Sequence, residues 1–387
     1  MKRILTGKAT MSCIWPWVTE LRCKIRSVPT LILFATLCVV TFGRESAAQE
    51  PRNLLLEVPE GRFVGLPIHW SPREVALLES SGQIRLFEAE KVVEHQLLDE
   101  LFQPQDLLQA SLELQAEMGS SYETLVTGPY VICAPVGGAK RWETRFRSLL
   151  AGYIRYFEVR GWPIRKPDFP LSIIILPNRE DFFRLGNQEI GGKAMASNLA
   201  GMYVPRTNRC LLYHIDHGGS STNWQATEAT IVHEAIHQLA YNTGAHERLF
   251  EHPLWFVEGL ATMFEVPAVY DPTVRVSNIE SRVHQEKLDA FKALDLDSDK
   301  LGAYLQNLVA GDKLFGSQPE AAYALSWALT YYLIERMPTE YYDLVIRQQA
   351  RGFQPYTAGD REQDFRSAFQ MAPHELAPQV LQLLKLR

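Results

Sequence analysis

The chain has 387 residues, 46% hydrophobic and 22% charged, with a formal net charge of −6 at pH 7. That balance is typical of a folded globular protein and excludes a disordered one, and the length allows two or three domains at most. An acidic chain also has no electrostatic reason to bind nucleic acid or an anionic membrane surface.

The opening stretch differs from the rest. Lys2, Arg3, Lys8, Arg22, Lys24 and Arg26 precede an apolar run from Leu31 to Phe42, and Ser46-Ala47-Ala48 offers the small residues a signal peptidase reads. The run is about 12 residues long, whereas a membrane span takes about 20. Residues 1–48 are therefore expected to be a signal peptide cleaved near Ala48, with the protein exported to a periplasm or the medium. The alternative is an uncleaved N-terminal membrane tether. Removing residues 1–48 takes away seven basic and two acidic side chains and leaves a formal charge of −11. Cys13, Cys23 and Cys38 go with them, so Cys133 and Cys210 remain, either as one disulfide or as two buried thiols.

Residues 49–119 read as a small β-rich accessory region ending in a helix. Val75 to Glu79 and Ile84 to Phe87 flank Ser80-Ser81-Gly82-Gln83, a hairpin signal, and Phe102 to Met118 has helical spacing before Gly119. From residue 120 strands alternate with helices. Tyr130 to Ala134 and Leu171 to Leu176 are apolar runs of strand length, Lys140 to Arg160 is helical, and Asn178 caps a further helix. Residues 186–200 form a Gly- and Asn-rich loop. Gly201 to Val204 and Arg209 to Tyr213 then flank Pro205-Arg206-Thr207-Asn208, a second hairpin.

The chemistry lies in Val232-His233-Glu234-Ala235-Ile236-His237-Gln238-Leu239. A helix over 223–243, started by Thr222 or Asn223 and stopped at Gly244, places His233 and His237 one turn apart on one face. Two imidazoles so placed grip one metal ion, with Glu234 beside them to handle a proton. Ala240 and Thr243 stand where a metzincin needs Gly and His, so the third ligand comes from elsewhere. Downstream, Pro253-Leu254-Trp255-Phe256-Val257-Glu258-Gly259-Leu260-Ala261 reads as a buried helix with Pro253 in its first turn. A buried carboxylate at Glu258 needs a cation or a donor. Gly259 lets this helix approach the motif helix closely.

Together, H-E-A-I-H and P-L-W-F-V-E-G-L-A resemble the gluzincin metallopeptidases. More narrowly, residues 120–350 resemble a bacterial domain family of exported, largely uncharacterised HExxH proteins, through N-R-C-L-L-Y, H-E-A-I-H-Q, W-F-V-E-G-L-A and Y-A-L-S-W-A-L. The resemblance implies an α+β fold. A gluzincin-like metallopeptidase domain would span 120–387, with a mixed sheet and edge hairpin, the zinc site in 223–265 and a mostly helical part over 277–387. It implies one Zn2+ per chain held by His233, His237 and Glu258, with Glu234 as general base toward a zinc-activated water. It also implies a later tyrosine that stabilises the oxyanion: Tyr323, with Tyr331 and Tyr332 as competitors. Thr262 and Glu265, one and two turns beyond Glu258, are candidates to orient the histidines. Part of 201–213 would be the edge strand that pairs with a peptide substrate, or else an ordinary edge hairpin.

The expected function is an exported zinc metallopeptidase acting on a peptide or protein, without nucleic acid or strong membrane association once the leader is cleaved. The alternatives are a catalytically inactive zinc-binding scaffold and a non-peptide zinc amidohydrolase or esterase. His214, His217, His246 and His252 are read as solvent-facing or capping residues. Asp295, Asp297 and Asp299 form a solvated turn, since Lys300 and Gln306 stand where an EF-hand needs Gly and Glu.

Overall fold

The computed structural model describes residues 50–385, apart from 193–194, 196–198, 214–220, 250, 272 and 275–277. The expected leader, His214 and His217 lie outside the described residues. The chain divides into two compact units, one of residues 50–79 and 85–103 and the other of 80–84 and 104–385.

The smaller unit is built on five strands: β1 (Arg52–Val58), β2 (Gly61–Trp70), β3 (Glu74–Leu78), β4 (Ile84–Glu88) and β5 (Glu94–Leu101), in the order β4-β3-β2-β1-β5. Alternation drives it. Leu54, Leu56 and Val58 turn inward onto Val75 and Leu77, while the residues between them stay partly exposed.

The larger unit holds the chemistry. Helix α1 (Leu107–Met118) starts at Asp106, whose side chain accepts from the Gln109 amide, and stops at Gly119, whose φ of 81° suits a residue without Cβ. It packs Ala110 and Leu114 into the same core as Val131, Cys133 and Ile174, so the helix read as the end of the 49–119 region lies on the second sheet. That sheet contains β6 (Tyr122–Thr127), β7 (Tyr130–Pro135), β8 (Leu171–Leu176), β9 (Gly201–Val204) and β10 (Arg209–Tyr213) in the order β6-β7-β8-β10-β9. It is mixed: β7, β8 and β10 run parallel, and β6 and β9 are antiparallel edges. Helix α2 (Lys140–Glu158) makes the crossover from β7 to β8. Strand β8, Leu-Ser-Ile-Ile-Ile-Leu, is apolar almost throughout because it is central and covered on both faces. Helix α3 (Arg179–Glu189) follows it, with Asn178 accepting from the Asp181 amide as its cap.

Register decides the cysteines. Cys133 on β7 aligns with Ile174 of β8, and Cys210 on β10 aligns with Ile173. Adjacent residues of a strand point to opposite faces, so the two thiols lie on opposite sides of the sheet with β8 between them. Both are free and buried, which leaves the two-thiol alternative.

Helix α4 (Ser221–Thr243) carries the HExxH motif and is followed by α5 (Leu254–Phe264). From Thr230 to Tyr241 every residue of α4 is buried, as is every residue of α5 after Leu254. Helix α5 is apolar almost all round, as a helix inside a domain is, whereas the buried stretch of α4 carries Thr230, His233, Glu234, His237 and Gln238. Pro253 is not inside the first turn of α5. It is the extended residue just before it, and Asp312 Oδ1 accepts from the Leu254 amide to cap the helix. The rest is helical, as expected: α6 (Pro267–Tyr270), α7 (Gln285–Ala293), α8 (Ser298–Ala310), α9 (Lys313–Ser317), α10 (Pro319–Arg336), α11 (Pro338–Gln349), α12 (Ala358–Phe369) and α13 (Ala377–Lys385). Asp297 caps α8 by accepting from the Lys300 amide, which gives the acidic turn a structural role. Among the described residues no helix is long and apolar enough to cross a membrane.

Candidate metal centre

Helix α4 brings His233 and His237 to one face, their ring centroids 4.6 Å apart. The helix is pinned to the sheet from the motif itself: Gln238 Nε2 donates to the Ser172 carbonyl of β8 at 3.1 Å and to the Asn208 carbonyl at 2.9 Å. Gly244, at φ 92°, ends it, and the amides of Ala245 and His246 turn back onto the Ala240 carbonyl.

Helix α5 lies beside α4 and points Glu258 at both imidazoles. Glu258 Oε2 is 3.2 Å from His233 Nε2, and Oε1 is 3.7 Å from His237 Nε2. One ligand atom from each residue falls within 4.8 Å of the others, and among the described residues this is the group of three or more His, Cys, Asp and Glu that could hold a metal ion. The three side chains are buried, at 0%, 1% and 0% exposure for His233, His237 and Glu258.

The donor set fits a cation for a further reason. Both nitrogens of His237 and Oε1 of Glu258 lack a hydrogen-bond partner among the described residues. Buried polar atoms are rarely left so, because each one forfeits its hydration. On His233, Nδ1 lies 2.8 Å from Glu265 Oε1 and donates to it. In the neutral ring, Nε2 then presents a lone pair to the Glu258 carboxylate. Two acceptors facing each other at 3.2 Å need a positive charge between them.

Without a metal ion a proton fills that need. Burial works against charging His233, but hydrogen bonds to Glu258 and Glu265 outweigh it and lift its pKa to about 10. His237 goes the other way: burial, reinforced by the neighbouring His233, pushes it well below its usual value. Burial also opposes the charge on Glu265, but hydrogen bonds to His233 and His284 prevail and bring it to about 2.

Glu234 sits on the sheet side of the motif, 2% exposed. Its Oε2 accepts from the backbone amide of Tyr203 on the edge strand β9 at 2.8 Å. The hairpin read at 201–213 therefore lies against the motif, and β9 is the edge of its sheet. Arg248, just beyond α4, fastens the hairpin turn by donating through Nε to the Pro205 carbonyl at 2.9 Å.

The remaining candidates divide. Glu265 is brought onto His233, whereas Thr262 is fully buried with its hydroxyl unpartnered among the described residues. Tyr323 is buried on α10 with its ring edge-on to Phe315 and Lys287 Nζ 5.9 Å from the ring centroid. Tyr331 donates its hydroxyl to the Ile279 carbonyl, and Tyr332 is partly exposed. His246 and His252 are not solvent-facing: they are 1% and 5% exposed, packed with Tyr241 and Phe256. His252 accepts from the Glu247 amide through Nε2 and pairs Nδ1 with Gln348. Gly259 faces α10 rather than α4, since a Cβ there would lie 2.2 Å from Thr330 Oγ1 and 2.6 Å from the Ser326 carbonyl.

Sequence reasoning missed two contributors. The Tyr203 amide acts through the backbone, and no residue type signals it. His284 meets Glu265 from 19 residues further on, across a segment without periodicity.

Residues 227–353 match the family described as Protein of unknown function (DUF1570). The match covers the motif helix from residue 227, α5 and the chain through α11, a shorter span than the likeness expected over 120–350. No curated protein matches the chain.

Proposed function

We propose that the protein is an exported zinc-dependent metallopeptidase of the gluzincin type, with His233, His237 and Glu258 as ligands and Glu234 as general base. The observation that carries this reading is the convergence of two motif imidazoles and one helix-borne carboxylate beside a fourth group, Glu234, held by the edge strand. Three protein donors of this type suit a catalytic zinc site, which keeps one position open. A zinc ion bound there would bring the pKa of water from 15.7 toward about 7. Glu234 would take a proton from that water and pass it to the departing amine, its carboxylate aimed by the Tyr203 amide. Strand β9 would align an extended peptide, and Tyr323 is the proposed oxyanion donor.

A second reading, a metal-holding scaffold without turnover, is favoured by the burial of all four side chains at 2% exposure or less. Metal analysis together with a peptide-library assay separates the two. The peptidase reading expects about one zinc per chain, lost in His237→Ala, and a Glu234→Gln variant that keeps its zinc while hydrolysis falls about 10²–10⁴-fold. Zinc bound equally by wild type and His237→Ala would remove the site. Zinc bound without hydrolysis by the wild type would leave the scaffold.

A further inference from the structure

His233 is not oriented by one carboxylate alone. Its Nδ1–H donates to Glu265 Oε1, and the other oxygen of that carboxylate, Oε2, is 2.9 Å from His284 Nε2. The tautomer of His284 follows from its other nitrogen. Nδ1 accepts from the backbone amide of Lys287 as the cap of α7, so the ring proton sits on Nε2 and is donated to Glu265. Three side chains thus form a directed chain, His284 to Glu265 and His233 to Glu265, which turns His233 Nε2 toward Glu258.

The segment bearing His284 is itself hydrogen-bonded to α10. A short helical turn at Ile279–Arg282 precedes it, and the Ile279 carbonyl accepts from the Tyr331 hydroxyl at 2.7 Å. Arg282 donates through Nε and Nη2 to both oxygens of the buried Glu335 at 3.0 and 2.6 Å. Helix α10 therefore fixes the backbone on which His284 stands, and Glu265 receives a donor at a set place. His284 retains 14% side-chain exposure, whereas Glu265 has 6% and His233 1%.

We infer that His284 is a positioning residue of the metal centre, holding the Glu265 carboxylate so that His233 presents Nε2 to a divalent cation. The inference rests on the metal-binding reading above and deepens it. With no donor at 284, Glu265 Oε2 would be a buried carboxylate oxygen short of a partner, and the carboxylate would be able to turn away from His233. Outer partners of this kind set metal affinity by about 10–100-fold.

The test is the affinity of the full chain for Zn2+ alone, measured by competition with a chromophoric chelator. Two variants preserve bulk at the position: His284→Phe lacks a donor, and His284→Gln offers an amide N–H near the original Nε2. We expect His284→Phe to bind zinc about 10–100-fold more weakly than wild type and His284→Gln to stay within about threefold of it. Rescue by Gln is the readout that a packing role would not produce. Equal affinity for His284→Phe and wild type would overturn the inference, as would a His284→Gln variant as weak as His284→Phe. A wild-type chain that takes up no zinc would remove the metal reading as well, so the two failures are distinguishable.

Discussion

At the scale of single residues, the position of Glu234 depends on an atom that is absent. A Cβ on Gly201 would stand 2.7 Å from Glu234 Cγ and 3.0 Å from the Leu212 side chain, both closer than packed carbons approach. Gly201→Ala should therefore push the Glu234 carboxylate off the Tyr203 amide without touching a ligand. We expect zinc content unchanged, hydrolysis down by about tenfold or more, and a stability loss of about 1–3 kcal/mol in a denaturant titration. Unchanged turnover would show that Glu234 does not need that placement. The residues legible in the sequence were those whose geometry one helix sets: His233 and His237 from an i, i+4 spacing, and Glu258 from a lone acid in an apolar run. Gly201, the Tyr203 amide and His284 were not legible, because each acts through a distance set only when separate segments pack.

Among the elements, α5 and α10 approach closely at Gly259. The bare backbone of Gly259 lets Thr330 and the Ser326 carbonyl lie where a side chain would otherwise be. Gly259→Ala should force the two helices apart at the level of Glu258, lowering stability by about 1–3 kcal/mol and weakening zinc binding along with it. A thermal melt and a zinc titration on the same variant check both; a melt like that of wild type would show that the interface yields cheaply. The elements themselves were mostly readable. Strand β8 announced itself as an unbroken apolar run, and Asn178 and Gly119 marked helix ends by capping chemistry. Partnership between elements was not readable. The sequence shows that Gly259 permits a close approach, but nothing in it says which helix comes, and α10 begins 60 residues further along the chain. His252 and His246 were misplaced for the same reason, since a histidine beside a helix start reads as surface until Tyr241, Phe256 and Gln348 close over it.

In the molecule as a whole, long-range order within the larger unit is tied at Glu335. Its carboxylate accepts from Arg160 at 2.7 Å, from Arg282 at 2.6 Å and from the Tyr156 hydroxyl at 2.8 Å, joining α2, α10 and the segment before α7. Burial raises its pKa, but Arg282 and Arg160 outweigh that and hold it below the ordinary 4.5. A carboxylate depressed in the folded state contributes stability that is fully present above its unfolded pKa and is lost as pH falls through the folded one. Glu335→Gln should therefore cost about 2–3 kcal/mol near neutrality, at the low end for a buried pair because both arginines keep some solvent. The gap between variant and wild type should close in unfolding experiments taken progressively below pH 4.5. A gap that persists unchanged into strong acid would show that the charge on Glu335 is not what holds the three segments.

The burial of α5 on all sides has an evolutionary corollary. A ligand on a loop is easily discarded, because solvent closes over the gap it leaves. Here Glu258 is fully buried on a helix whose every residue after Leu254 is buried as well. Any descendant that abandoned the acid would inherit either a hole or two stranded imidazoles. Replacing Glu258 would mean repacking the interior around it, so the acid is kept in place by the architecture, whatever it binds.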